Sequence, residues 1–330
     1  MPNKNISDAI LSGDTADIYF SRTQTILGKE GLDPIVVMEI FPGRDGILCG
    51  INEVIDLLRQ AAPAAQVDAL DEGAAMSAKE VVLRLRARYS AFGLYETALL
   101  GMLAHTSGWA TAARAIVDAA APIPVTSFGA RHVHPAVAAR LEYAAVVGGC
   151  VTGATPAGAR LAGKPPSGTI PHAMVLIFGD TVKATEAFDQ WMPREINRIA
   201  LVDTFHDEAE EAVRVAQAMG DRLWGIRLDT PSERGRVTPD LVKEVRARLD
   251  QAGFPKVKII VSGGVDLERV QLFRAVGAPV DAYGVGSAIS AAPPIDFTGD
   301  LKEIDGKPIA KRGRIPGVTN NPRLKRIALK

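Results

Sequence analysis

The sequence predicts an α/β protein in two parts, a strand–helix repeat of near-barrel form and a separate α+β segment before it. Three observations carry this reading. From about Pro122 onward, short runs rich in Val and Ile alternate with longer segments of helical period, the signature of repeated strand–helix units. Before that point the apolar runs are separated by Gly and Pro turns without a regular helical beat. After Pro293-Pro294 the chain leaves the repeat for a polar, basic end, Lys311-Arg-Gly-Arg and Arg323-Leu-Lys-Arg, whose composition suggests a solvated tail. The 330 residues, 47% apolar and 23% charged, suffice for two domains or for one barrel of ~250 residues with an appended unit.

In the first part, residues 36–40 and 81–85 read as strands, and residues 96–105, apolar almost all round, as a helix buried between layers. The repeat offers strands at 125–128, 149–152, 173–178, 199–204, 223–229, 258–262 and 282–285, close to the eight of a closed barrel. Residues 207–219 open with acids, keep Ala209, Ala212, Val213 and Ala216 on one stripe and stop at Gly220. In the next helix Thr238 is the cap and Pro239 the first turn; Leu241, Val242, Val245 and Leu249 form its apolar face, and Gly253 ends it. Units this regular favour parallel strands joined by right-handed crossovers.

Lys plus Arg and Asp plus Glu are each 38, giving a formal charge of 0, so no whole-molecule field draws the protein to nucleic acid or an anionic membrane. Cys49 and Cys150 stand far apart and outside any Cys-x-x-Cys pair, which argues against a disulfide framework or a thiolate zinc site. The N-terminal residues lack an apolar signal core, and no later apolar run approaches the ~20 residues of a membrane helix. These features lead us to expect a cytoplasmic protein.

Active sites of barrel folds lie at the C-terminal ends of the strands. There the chain reads Lys258-Ile-Ile-Val-Ser262-Gly263-Gly264 and, one unit later, Tyr283-Gly284-Val285-Gly286-Ser287. Glycines let backbone approach a ligand, and helix starts bind phosphate oxygens. Two such turns on the last two strands predict a phosphorylated ligand. In Leu223-Trp-Gly-Ile-Arg227-Leu-Asp229, alternation puts Arg227 and Asp229 on one face, and a charged pair facing a barrel interior favours a site over a structural ion pair. Asp203 has the same placement, with a helix cap as the equal alternative. Arg131 meets an anion at the barrel mouth or is simply an exposed arginine. His132 and His134 have the spacing of barrel-hydrolase metal sites, with His172 and His206 as further ligands; the glycine turn before them and Pro135 after them favour hydrogen-bonded loop histidines. No lysine ends a strand, which disfavours a Schiff-base aldolase.

Taken in order, Asp17-Ile-Tyr19-Phe-Ser-Arg-Thr, Tyr95-Glu-Thr-Ala, Ser127-Phe-Gly-Ala-Arg-His-Val-His-Pro, Ser167-Gly-Thr-Ile-Pro-His172, Val202-Asp-Thr-Phe-His-Asp-Glu, Gly225-Ile-Arg-Leu-Asp-Thr-Pro, Val261-Ser-Gly-Gly-Val-Asp, Asp281-Ala-Tyr-Gly-Val-Gly-Ser and Lys307-Pro-Ile-Ala-Lys-Arg-Gly resemble the nicotinate phosphoribosyltransferase family of type II phosphoribosyltransferases. The resemblance is to its shorter archaeal-type branch, without the Cys-rich zinc knuckle in which that branch often continues. It implies an incomplete, irregular α/β barrel over residues 122–290, plus an α+β domain formed by residues 1–121 with 291–330. It implies joining nicotinate to phosphoribosyl pyrophosphate in NAD salvage, with Mg²⁺ on the diphosphate and ATP as a coupled substrate, in a homodimer or higher homo-oligomer.

By the same resemblance Phe128 stacks on the pyridine ring, with Tyr19 of a partner subunit on its other face. Arg131 and Arg227 hold the carboxylate and ribose-phosphate region, and Asp229 contacts ribose or metal. Thr152 and Asp203 line the substrate, and Ser262-Gly263-Gly264 with Gly284-Val285-Gly286 cradle the 5′-phosphate. His172 falls at the family's phosphorylated histidine. The family's loop commonly reads Phe-Gly-x-Arg-Arg; here its second arginine is His132. Nicotinamide-using relatives have an acid near the ring substituent, absent from Gly148-Gly-Cys-Val-Thr152-Gly, and the basic motifs of quinolinate-using relatives are not found. A metal-dependent hydrolase using His132 and His134 and a non-catalytic phosphoribosyl binder are the alternatives.

Overall fold

The computed structural model describes residues 6–329; Met1–Asn5 and Lys330, which the domain and leader expectations include, lie outside the described residues. In chain order the strands are β1 (Ile35–Pro42), β2 (Gly46–Ile47), β3 (Gln66–Ala69), β4 (Ala75–Met76), β5 (Leu83–Arg88), β6 (Val125–Ser127), β7 (Ile199–Leu201), β8 (Gly225–Leu228), β9 (Lys258–Val261), β10 (Ala282–Val285), β11 (Phe297–Ile304), β12 (Lys307–Pro308) and β13 (Lys325–Ile327). Two compact units divide them, Met1–Thr111 with Ala292–Lys330, and Ala112–Ala291.

The first unit is a six-stranded sheet in the order β12-β11-β1-β5-β3-β13, antiparallel throughout. In β5 the alternation Leu-Arg-Leu-Arg sends Leu83 and Leu85 into the core and leaves Arg84 to pair with the buried Glu39 of β1 at 2.8 Å. The core gathers Met38, Ile40, Leu57, Leu58, Leu83, Leu85, Phe92 and Leu99, each such side chain contributing roughly 1.5–3 kcal/mol by burial. The helix expected to end at His105 runs on, Glu96–Ala120. Its small polar stretch is packing rather than a stop. The Ser107 hydroxyl accepts the Cys49 amide at 3.0 Å, the Thr106 hydroxyl donates to the Cys49 carbonyl at 2.7 Å, and a Cβ on Gly108 would lie 2.4 Å from the Pro293 carbonyl oxygen.

The basic end is not a solvated tail. Lys311 and Arg314 converge on the buried Asp300, at 3.0 and 2.7 Å. Arg323 pairs with Glu80 and Arg326 with Asp68, both at 2.7 Å, as β13 joins β3.

Glu96 lies beside this cluster. Burial first, then Asp300, push its carboxyl up to about 7, with Lys311 opposing. Between the ordinary carboxyl value and about 7 the folded chain holds a proton that the unfolded chain has released, so stability falls as pH rises through that window. Glu96→Gln is expected to raise the thermal midpoint at pH 8 and to leave it nearly unchanged at pH 4.5. Equal shifts at the two pH values would remove the titration argument.

The second unit holds five parallel strands in the order β6-β10-β9-β8-β7, two fewer than expected. Residues 149–152 form no strand; only the isolated bridge Ser127↔Gly153 touches β6 there. Residues 173–178 belong to a helix, His172–Phe178, entered from Pro171 and closed by Gly179 at φ 68. A six-residue apolar run reads equally as strand or helix, and here only Val175 is buried while Ile177 is 83% exposed. The punctuated helices agree with expectation. Thr238 accepts the Leu241 amide at 3.2 Å ahead of Pro239–Gln251, and Asp207 accepts the Ala209 amide at 3.0 Å ahead of Glu208–Met219. The buried stripe of the latter runs through Val215 and Met219 rather than Val213. Among the described residues no helix is long and apolar enough to cross a membrane.

Candidate active site

Phe128, Asp229, Ser262 and Gly286 each follow directly on the last residue of β6, β8, β9 and β10, and Asp203 lies two past the end of β7. Parallel pairing therefore brings these five positions to one edge of the sheet, where the strand-end rule places a site.

The carboxylate of Asp229 accepts a hydrogen bond from Ser262 Oγ at 2.8 Å and faces Arg227 Nη2 at 3.8 Å. Arg227 Nη2 also donates to the Ile170 carbonyl at 3.5 Å. His172 Nε2 stands 3.0 Å from Oδ2 of Asp203, whose side chain is 1% exposed. Burial raises the Asp203 carboxyl, His172 opposing and Asp229 adding to the rise. Burial draws the Arg227 guanidinium below its ordinary value; Asp229 and Asp203 oppose, and Arg131 adds to the fall. Two arginines and two carboxylates thus share one field.

Asp203 Oδ1, Arg227 Nε, Ser127 Oγ and Thr204 Oγ1 are buried without protein partners. Unpaired buried donors and acceptors are groups that a polar ligand or ordered water satisfies.

Beside them opens a cavity of about 570 Å³, lined by Phe128, Arg131, Thr169, Ile170, Pro171 and Arg227 among other residues. Among the described residues Arg131 and Arg227 are its only charged lining residues. Its outer loop is fixed by Glu142, fully buried, which accepts the Ala154 and Thr155 amides at 2.7 and 2.9 Å. The Phe128 ring occupies the space beside Gly284, where a Cβ would lie 2.2 Å from Cε2.

Gly284 therefore seats an aromatic ring, while the Val285 carbonyl accepts the Phe128 amide at 2.7 Å. At Gly286 a Cβ would lie 2.9 Å from His132 Nε2, so the histidine in place of the second arginine reaches this turn. Gly263 and Gly264 take φ 80 and 66, which favour glycine, and Gly263 lies against Asp229.

Thr152 is buried and its hydroxyl donates to the Gly153 and Pro165 carbonyls; it is absent from the cavity wall. Tyr19 belongs to the other compact unit, 56% exposed. The histidines do not converge: His134 accepts the Ala136 amide at 3.2 Å, His132 faces Gly286, and His172 faces Asp203. Among the described residues no three His, Cys, Asp or Glu side chains are grouped to hold a metal ion. Sequence reasoning did not single out Arg236, whose Nη1 would lie 1.5 Å from a Cβ on Gly264; no periodicity marks a side chain that reaches from one loop to another.

A parallel α/β unit with glycine turns on its last two strands, joined in one chain to an antiparallel α+β unit, defines the type II phosphoribosyltransferase fold. Comparison with known proteins agrees. Residues 109–300 match the family model described as quinolinate phosphoribosyl transferase, C-terminal domain, and residues 17–107 match the N-terminal domain of the same family; the chain belongs to this family of type II phosphoribosyltransferases. It is similar to the nicotinate-nucleotide pyrophosphorylase from Pyrococcus furiosus, 44% identical with a TM-score of 0.88 over 95% of this chain and 81% of that one. It shares the fold of human nicotinic acid phosphoribosyltransferase, with a TM-score of 0.74 at 18% identity, covering 92% of this chain and 77% of that one. The nicotinate phosphoribosyltransferase pncB1 of Mycobacterium tuberculosis is 31% identical over 255 residues, 74% of this chain and 55% of that protein. The nicotinate phosphoribosyltransferase of Bacillus subtilis is 32% identical over 227 residues, 68% of this chain and 45% of that protein. The chain spans about half the length of these two relatives.

Proposed function

We propose that the protein transfers the phosphoribosyl group of phosphoribosyl pyrophosphate to the ring nitrogen of nicotinate, giving nicotinate mononucleotide and pyrophosphate for NAD synthesis. The observation that carries this reading is the cavity wall: an aromatic ring, two arginines and small residues, beside two glycine turns. The C1′–O bond to pyrophosphate breaks and the C1′–N bond forms, its electron pair coming from the ring nitrogen. No side-chain nucleophile is required, so the protein's work is placement and charge stabilisation. Phe128 is the wall for the pyridine ring. Asp229, locked by Ser262, puts negative charge beside the ribose as it becomes oxocarbenium-like, and Arg227 holds donor oxygens.

The choice of base rests on charge. Arg227 is flanked by Asp229 and Asp203, which leaves Arg131 as the cavity cation without a paired acid among the described residues, suited to one carboxylate. Quinolinate is the second reading, favoured by the family model that matches the chain.

A Mg²⁺ entering with the diphosphate would supply charge neutralisation to the leaving group and would need only one or two protein carboxylates. Asp203, with Oδ1 unpartnered, and Asp229 fit that limited role. His172, held by Asp203 yet 40% exposed, is placed to accept a phosphoryl group if ATP is coupled to synthesis. Tyr19, exposed on one copy, would complete the base site of another, which makes the active form at least a homodimer.

The test is chromatography of products after incubation with phosphoribosyl pyrophosphate, Mg²⁺ and nicotinate, nicotinamide or quinolinate, each with and without ATP. A mononucleotide formed from nicotinate alone is the expected result. Product from quinolinate alone replaces the base, and phosphoribosyl pyrophosphate binding without product from any base supports a non-catalytic binder.

A further inference from the structure

Glu208 opens the helix Glu208–Met219, five residues after Asp203, and its side chain is only 2% exposed. The helix does not need it as a cap, since Asp207 accepts the Ala209 and Glu210 amides. Glu210, in the same turn, offers an acid to the helix dipole while remaining exposed. A carboxylate is costly to bury unless its bonds compensate, so its partners define its work. Oε1 accepts the Thr230 hydroxyl at 2.8 Å and Arg234 Nη1 at 3.3 Å. Thr230 is itself buried and follows directly on Asp229.

These contacts lie where the sheet stops. β7 and β8 pair from Ile199↔Gly225 to Leu201↔Arg227, and the Val202 amide closes the ladder on the Arg227 carbonyl at 3.4 Å. Past that point the two segments carry Asp203 and Asp229 to the site with no further backbone bond between them among the described residues. The bonds accepted by Glu208 are the hydrogen bonds that join residues 203–208 to residues 229–234 there. The load on this junction is electrical. Burial raises the Asp203 carboxyl and Asp229 adds to the rise, because two like charges at neighbouring strand ends repel. Their other holds lead elsewhere, His172 at 3.0 Å for Asp203 and Ser262 at 2.8 Å for Asp229.

We propose that Glu208, acting through Thr230, is a positioning residue that fixes the spacing of Asp203 and Asp229 across the ends of β7 and β8. It touches no reacting atom. It holds the first turn of one helix to the residue after Asp229, so the two carboxylates meet the ribosyl donor at a preset separation rather than at one set by their repulsion. The inference rests on the phosphoribosyl-transfer reading for what the carboxylates act on; the junction itself is independent of it.

The experiment compares wild type with Thr230→Val, which keeps the side-chain shape without the donor, Thr230→Ser, which restores the donor, and Glu208→Gln, which keeps an acceptor for it. Two readouts are taken on the full chain: steady-state kinetics with phosphoribosyl pyrophosphate and base, well below each thermal midpoint, and amide hydrogen exchange of residues 202–207 and 229–235. Thr230→Val is expected to lower kcat about tenfold to a hundredfold, the scale of misplaced reacting groups. KM for phosphoribosyl pyrophosphate should rise while KM for base stays near wild type, and exchange should quicken in both segments together. Thr230→Ser should recover most of the loss, and Glu208→Gln should stay within about threefold of wild type because the hydroxyl bond survives. A fall in kcat alone with both KM values unchanged, matched by a lower thermal midpoint, would reduce the junction to a folding role and overturn the proposal. Unchanged exchange in Thr230→Val would overturn it as well. Quickened exchange in both segments, reversed by serine, in a protein that turns over no pyridine base would sustain the junction and remove the reaction.

Discussion

Asp229→Asn is expected to lower kcat/KM by about 10²- to 10³-fold, the range found when one preorganised electrostatic contact to a transition state is removed. Its position explains both the size and the selectivity of the effect. Asparagine keeps an oxygen to accept the Ser262 hydroxyl bond of 2.8 Å, so β8 and β9 stay joined at their ends. The negative charge facing Arg227 at 3.8 Å is lost. Asp203 remains to balance the mostly buried guanidinium, so the thermal midpoint should move by only a few degrees. Initial rates at varied phosphoribosyl pyrophosphate, with a thermal melt of each variant, make the comparison. A rate within threefold of wild type would take Asp229 out of the chemistry, whereas a collapsed melt would place its role in folding.

Gly284→Ala is the second large effect. The new methyl would sit 2.2 Å from Cε2 and 2.6 Å from Cδ2 of Phe128, so the ring must shift within the cavity that it lines. Overpacking of this kind costs roughly 1–3 kcal/mol. If Phe128 walls the base as proposed, the displaced ring should raise KM for the base about tenfold, the aromatic contact being worth about 1 kcal/mol with further loss of cavity shape. Phe128→Ala provides the control. Once the ring is gone, the added methyl at position 284 should cost little, so the two substitutions should be strongly non-additive in urea unfolding. Additive costs would show that the ring does not depend on the missing side chain.

What could be read from the sequence divides along physical lines. The helix Pro239–Gln251 was legible because Thr238 and Pro239 are local signals of a start. The placement of Arg227, Asp229, Ser262 and Asp203 at or beside the strand ends was legible because strand alternation and the strand-end rule need only neighbouring residues. Residues 173–178 were misread because a short apolar run has no period of its own, and its choice of helix depends on Pro171 and Gly179 at its ends. The outer cavity wall was not legible at all. Its shape comes from Glu142 reaching the amides of Ala154 and Thr155, a contact between separate segments. Gly284 was recognised as a close approach, but the approaching group proved to be Phe128, 156 residues earlier in the chain.

The interrupted first unit also sets an order for building the molecule. β1, β3 and β5 are made early, yet the strands that cover them, β11 beside β1 and β13 beside β3, leave the ribosome only after residues 112–291 have been made. Until then the nascent sheet has three strands with both borders open, each offering unpaired amides and carbonyls to any extended chain nearby. In the parallel unit β7, β8 and β9 pair in turn as they are made, and only β6 waits, for β10 at the end of that same unit. The segment synthesised first is therefore the last to be completed, and during elongation it is the part of this chain most in need of shelter.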